Sequence, residues 1–474
     1  MGRLRIYARL DPAGVRAQLS PMRLSAPLML SLAALLLGRP ARAQDPIPAA
    51  VRANLKARLD AGSWPGLVVG VVDRSGNHYY TLGVTALGTG TPIKPSSEFE
   101  IGSISKVFTS LALADMVVRG QVSLDDPIQA YLPEGVKAPE RDGKPITLRL
   151  LAGQRSGLPR MPGNFAPKDP SNPYADYDTT RMYAFLSGYA LPRDPGAQYE
   201  YSNFGVGLLG TLLARKDGGS WEALVRRRVL EPLGMSTTMV QLTPDARARL
   251  AIGHADGRPV ANWDLDALAG AGALRSSAED MARFVAAAMG LRRTPLDSAF
   301  RLSEAPQFDA GSPTMRIGLG WHILTRPGMQ IVWHNGGTGG YRSFAGFDPK
   351  RQLGVVVLAN STVGVDDIGF HLIDSTMALV VPRVAITLPA DSLERYTGRY
   401  QLGPGFVIAV TREGSQLSLQ ATGQPVFQLF ASARDEFFLR GVDAQISFEQ
   451  DAEQKVVALV LHQGGGHQRA PRVP

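Results

Sequence analysis

Glu100-Ile101-Gly102-Ser103-Ile104-Ser105-Lys106-Val107-Phe108 is the stretch on which the reading of this chain turns. It opens a segment in which Ile104, Val107, Phe108, Leu111 and Val118 recur at helical spacing, with Gly120 as a stop. That pattern predicts an amphipathic helix starting at the serine. Residues three apart share a helix face, so Lys106 can reach the Ser103 hydroxyl. A serine is a weak nucleophile until a base lies near it. A lysine at a helix start is misplaced with respect to the helix dipole, and Lys106 is also flanked by apolar Val107 and Phe108. Both facts favour acyl-transfer chemistry at Ser103 over a helix-capping serine with a solvated lysine.

Working outward, residues 47–60 carry apolar positions at helical spacing, and Gly66–Val72 with His78–Val84 flank a turn at 73–77, which predicts a helix followed by a β-hairpin. Helical signals dominate from about 100 to 300, broken by a Pro/Gly-rich loop at 158–173. Strand signals return at Gln330–Trp333, Arg342–Phe347 and Leu353–Ala359, which would complete an antiparallel sheet begun by the first hairpin. The expected class is therefore mixed α/β (α+β): an antiparallel sheet flanked by helices with an all-helical lobe. Beyond Pro389 about seven short alternating runs between 398 and 462 predict a small antiparallel barrel or sandwich. The domain boundaries read as 1–43, 44–385 and 390–474.

Composition excludes several functions. At 474 residues, 44% hydrophobic and 19% charged, the chain is an ordinary globular protein. Its net charge of +8 is concentrated at the N-terminus, where residues 1–43 hold seven Arg and one Asp, leaving 43 basic against 41 acidic residues elsewhere. A near-neutral body offers no footprint for phosphate backbones, so nucleic acid is not an expected partner. With no Cys, disulfides, thiol catalysis and thiolate metal sites are excluded. The absence of a Gly-x-Ser-x-Gly elbow leaves an α/β-hydrolase without its nucleophile, the seven His lack the spacing of a metallohydrolase, and no metal or cofactor is expected. Arg23, the apolar run Leu28–Leu37 and Ala41-Arg42-Ala43 read as a secretory signal peptide cleaved after Ala43, with Met22 as an alternative start. The run is about half of the roughly 20 residues that a membrane-spanning helix needs. The expected product is a periplasmic or secreted protein without a stable membrane span.

Two further motifs follow in order: Tyr199-Glu200-Tyr201-Ser202-Asn203-Phe204-Gly205, preceded by Pro195-Gly196, and Trp333-His334-Asn335-Gly336-Gly337-Thr338-Gly339-Gly340. With Ser-x-x-Lys, the three together resemble the serine β-lactamase and penicillin-binding protein superfamily, in its class C and D-alanyl-D-alanine carboxypeptidase branch with a His-x-Gly third motif. The resemblance covers about residues 46–385. It implies Ser103 as nucleophile, Lys106 as its activator and Tyr201 as proton shuttle, with the phenol pKa depressed by Lys106. It also implies Asn203 on the substrate's side-chain amide, an oxyanion hole at the Ser103 and Gly337 N–H groups beside Gly336, and His334 on the substrate carboxylate. His334 replaces the family's Lys, so carboxylate binding would depend on pH unless Arg342 compensates. Asn164 is a further amide contact on this reading. The expected substrates are β-lactams or peptidoglycan peptides, with a carboxylesterase as the enzyme alternative and a cell-wall-binding or penicillin-sensing protein as the non-enzyme one. The segment from Leu393-Glu394-Arg395-Tyr396-Thr397-Gly398 resembles the lipocalin-like domain appended to many such hydrolases. The stretch Leu151-Ala152-Gly153-Gln154-Arg155-Ser156-Gly157-Leu158 departs from the family's Leu-Leu-Thr-His-Thr-Ser-Gly-Leu.

Overall fold

The computed structural model describes residues 46–474 apart from 89, 382, 425, 440–443, 464 and 465. The expected leader and its cleavage point lie outside the described residues.

Helix α1 (Ala49–Asp60) and the hairpin β1 (Gly66–Asp73) and β2 (Gly76–Gly83) form where the periodicity placed them. The large sheet continues with β3 (Phe308–Ser312), β4 (Met315–Ile317), β5 (His322–Arg326), β6 (Met329–Gly337), β7 (Arg342–Asp348) and β8 (Leu353–Ala359). Its order is β2-β1-β8-β7-β6-β5-β4-β3, antiparallel at every pairing. The register Leu67↔Ala359 to Val72↔Gly354 joins the first hairpin to the last strand, so the sheet closes over nearly 300 residues of intervening chain. β3, β4 and β5 went unforeseen because they are short, and β3 carries Asp309 and Gly311 in place of an alternating apolar pattern.

One face of the sheet buries Val68, Val356 and Phe347 against α2 (Ser105–Val118) and a helix at Ala278–Ala288; the other buries Leu67, Val355 and Val357 against α1 and a helix at Asp366–Ile373. α2 is apolar nearly all round, which fits its place between the sheet and the helical lobe. It is entered through one 3₁₀ turn, Gly102–Ile104, so Ser103 lies half a turn before the α-helix rather than inside it.

The C-terminal region is a closed antiparallel barrel of eight strands, β9 (Gly398–Gly403) to β16 (Gly466–Val473), with β9 pairing back onto β16 through Arg399↔Val473 and Tyr400↔Arg472. The eighth strand was not among the seven expected because it carries Pro471 and a run of exposed polar side chains. Tyr396, Tyr400, Phe437 and Phe448 pack the interior. Among the described residues no helix is long and apolar enough to cross a membrane.

Candidate active site

The site is built where α2, the end of β6 and the start of a helical-lobe helix, α3 (Asn203–Asp217), converge. Gly102 has a φ of 50°, and a Cβ there would lie 2.7 Å from the Gly337 nitrogen. A Cβ on Gly336 would fall 2.0 Å from the Ile101 carbonyl oxygen. These glycines let the end of β6 run against the backbone that carries Ser103. Ser343 Oγ donates to the Ile101 carbonyl at 2.8 Å and fixes the same approach from β7.

Lys106 is fully buried, its Nζ donating to Ser103 Oγ at 3.0 Å and to the Ala271 carbonyl at 2.7 Å. Desolvation, aided by the Arg160 charge, holds the ammonium well below the usual lysine range. Tyr201 is hydrogen-bonded to Ser103, and its ring centroid is 4.9 Å from Lys106 Nζ and 5.1 Å from Arg160 Cζ. Burial pushes its phenol up, against the lowering effects of the Ser103 hydrogen bond and of Arg160. This corrects the expectation of a phenol depressed by Lys106: desolvation outweighs the lowering contributions, which come from Ser103 and Arg160 rather than from Lys106. The pair is an amine biased toward neutrality beside a protonated phenol.

Asn203 is the first residue of α3, whose N-cap Ser202 accepts from Gly205 N at 2.8 Å. Gln154 lies in the segment that departs from the family pattern, and it pins this motif from behind. Its side-chain oxygen accepts from Ser202 N at 2.7 Å and its carbonyl from Glu200 N at 2.8 Å, with a backbone φ of 58°. The departure of this stretch from the family pattern was the one signal that the sequence offered for Gln154.

His334 is 1% exposed, and its Nδ1–H donates to the Asn335 carbonyl at 2.6 Å. Desolvation, with His322 and Lys106 nearby, holds its pKa well below the usual histidine range. Neutral, and donating from Nδ1, the ring presents a lone pair at Nε2. The expected pH-dependent carboxylate grip is therefore corrected: burial keeps His334 uncharged across neutrality. Sequence reasoning also missed His322 on β5, whose ring centroid lies 5.1 Å from that of His334 and whose Nε2 is 2.9 Å from Tyr199 Oη. Burial holds His322 down at about 4.

Arg342 lines a different cleft from the one into which Ser103 opens. Its Nη1 donates to the Thr338 carbonyl at 3.1 Å and the Tyr341 carbonyl at 2.9 Å, and it lines a cleft of about 340 Å³ with Asp366, Val380 and Phe438, between the sheet and the barrel. The expectation that it compensates for the missing Lys is corrected by that placement: its Nη1 is engaged by backbone carbonyls in another cleft. Asn164 is committed within the helical lobe, accepting from Tyr177 Oη at 3.0 Å and donating to the Arg181 carbonyl at 2.9 Å. Both ends of the amide expected to contact substrate are thereby occupied.

Ser103 opens into a narrow pocket of about 40 Å³ whose lining includes Asn203, Gly337, Thr338, Tyr174, Trp263 and Leu268. The Tyr174 and Trp263 rings meet in a tilted contact with centroids 5.1 Å apart, and two reciprocal hydrogen bonds between Asn172 and Asp264, 2.9 and 2.8 Å, tie their loops together. A larger groove of about 1140 Å³ runs past Trp221, Gln241 and Asp264 and shares Leu265 with this pocket. Among the described residues no group of three His, Asp or Glu is placed to hold a metal ion.

The arrangement can generate a serine alkoxide equivalent beside a proton donor, and the comparisons agree with that chemistry. A family model described as Beta-lactamase matches residues 51–376, and one described as a Domain of unknown function (DUF3471) matches residues 382–470. The chain is 29% identical to a Beta-lactamase of Escherichia coli (strain K12) over 333 residues, covering 62% of this chain and 84% of that protein. It is 28% identical to the D-alanyl-D-alanine-carboxypeptidase/endopeptidase AmpH of the same organism over 343 residues, 67% of this chain and 87% of that one. A crystal structure of a class C β-lactamase from Rhodobacter sphaeroides superposes with a TM-score of 0.60 at 25% identity, covering 70% of this chain and all of that one.

Proposed function

We infer the reaction from one premise: this chain belongs to the β-lactamase family and is a serine hydrolase. Its proposed substrates are the amide bonds of β-lactams or of D-alanyl-D-alanine peptides, cleaved through an acyl-Ser103 intermediate in the periplasm or outside the cell. The observation that carries this reading is the 3.0 Å contact between Ser103 Oγ and a buried Lys106 Nζ beneath the Tyr201 ring.

In the proposed sequence the neutral Lys106 amine takes the Ser103 proton as Oγ bonds to the carbonyl carbon. The negative charge moves to the carbonyl oxygen, where the N–H groups of Ser103 and Gly337 receive it. Collapse breaks the bond to the leaving nitrogen, which takes the Tyr201 proton, and Lys106 returns its proton to the phenol oxygen. Water repeats the steps in the other direction to release the acid. Asn203, at the edge of the pocket, meets the acyl side chain's amide. His334 acts through its Nε2 lone pair as an acceptor beside Tyr201, with ring centroids 6.2 Å apart.

A second reading, a carboxylesterase of the same fold, draws support from the neutrality of His334, which leaves the third motif without the cation that a carboxylate-bearing substrate would meet. Fluorescent penicillin tests the main reading. The full chain should take a covalent label that Ser103→Ala abolishes. Turnover of short acyl esters without any labelling would move the assignment to the esterase, and neither activity would leave a cell-wall-binding or penicillin-sensing protein.

A further inference from the structure

The site described so far has lost its expected cations. His334 is neutral by burial, Lys106 is enclosed between Ser103 and the Ala271 carbonyl, and Arg342 faces the cleft beside the barrel. Neighbouring arginines are engaged elsewhere: Arg193 pairs with Glu200, Arg155 donates to the Gly196 and Asp309 carbonyls, and Arg275 meets Glu100 and Asp264.

Arg160 is different. Its carbonyl accepts from Asn203 N at 3.0 Å and Phe204 N at 3.2 Å, which anchors its main chain to the first turn of α3. Its side chain is exposed, and the guanidinium carbon lies 5.1 Å from the centroid of the Tyr201 ring, the ring that also covers Lys106. Among the described residues no Asp or Glu forms an ion pair with it. A cation–π contact orients a guanidinium without neutralising it, so its N–H fork stays open to a planar anion. The position is one residue from Met161, whose sulfur meets the Asn203 amide at 3.7 Å, and one ring from Ser103.

We propose that Arg160, over the Tyr201 ring, is the substrate-carboxylate residue of this enzyme, taking over the task of the missing third-motif lysine. The ligand class is a carboxylate borne by the acyl donor or by its leaving group, bound bidentately at the rim. The proposal rests on the serine-hydrolase reading above and adds a preference for anionic over neutral substrates to it.

The test uses the full chain and two matched pairs. Benzylpenicillin against its methyl ester varies the carboxylate on the leaving side; carbenicillin against benzylpenicillin varies one on the acyl side. The parent should prefer the anionic member in at least one pair, and Arg160→Gln should lower that preference in kcat/KM about 10-fold to 100-fold, chiefly through KM. Arg160→Lys should recover part of it, because the charge remains while the fork is lost. Loss confined to the first pair places the carboxylate on the leaving group; loss confined to the second places it on the acyl chain. An unchanged preference in Arg160→Gln overturns the proposal. So does a preference abolished by Arg342→Ala instead. Absence of turnover and of Ser103 labelling in the parent sinks the hydrolase reading and this proposal with it, whereas labelling with an Arg160-independent preference sinks this proposal alone.

Discussion

In the C-terminal barrel the buried tyrosines end on partners: Tyr396 Oη donates to the Arg434 carbonyl and lies 2.9 Å from Asp435 Oδ1, and Tyr400 Oη donates to the Tyr396 carbonyl at 2.8 Å. Around the large sheet the pattern reverses. His322 Nδ1, Trp333 Nε1, His254 and the Glu98 carboxyl are buried without hydrogen-bond partners, and among the described residues every such side-chain atom precedes residue 349. Fully satisfied polar groups rigidify a core, while desolvated and under-paired ones keep altered proton affinities and reactivity. The barrel reads as a self-contained packing unit and the sheet as the place where chemistry is stored.

The most severe break of that contrast is at Lys106. Lys106→Ala should lower kcat/KM about 10²-fold to 10⁴-fold, and Lys106→Arg should lose as much, since a guanidinium does not deprotonate. Because the reaction needs the neutral amine, activity in the parent should rise with pH through a pKa well below the usual lysine value, and that limb should vanish in both variants. Steady-state rates across pH decide it.

Phe448, packed on Tyr396 and Tyr400 with ring centroids 4.8 and 5.6 Å away, tests the other side. Phe448→Ala should cost the barrel about 3–5 kcal/mol, seen by calorimetry, while the rate of Ser103 labelling by penicillin stays at the parental value. Equal loss of both would show that barrel and site are one energetic unit.

The smallest effect concerns Glu98, fully buried with Arg249 no nearer than 3.6 Å and pushed up to about 8 by desolvation. Between the unfolded value near 4.5 and about 8 the folded state binds more protons, so this group makes stability fall as pH rises through that window. Glu98→Gln should flatten the fall, measured by urea denaturation at pH 5 and pH 8.

Local pattern alone was enough for much of this molecule. The 3.6-residue period after Ser103, the three ordered motifs and the alternation beyond Pro389 fixed the helix, the family resemblance and the barrel, because each is written in neighbouring residues. Short-range signals failed where strands were brief, polar or interrupted by proline, as at Phe308–Ser312 and Gly466–Val473.

Charge state and direction belonged to the tertiary structure. From sequence, His334 is a titrating cation, Tyr201 a depressed phenol and Arg342 a carboxylate ligand; in the fold, burial neutralises the first, raises the second, and backbone carbonyls engage the third. Arg160 carried no motif, and its meaning appears only when Tyr201 is brought beneath it. A side chain's identity is covalent, but its proton affinity and the partner that it faces are set by burial and by which groups the fold brings beside it, some adjacent in the chain, like the carbonyls that hold Arg342, and some distant, like the Ala271 carbonyl that meets Lys106.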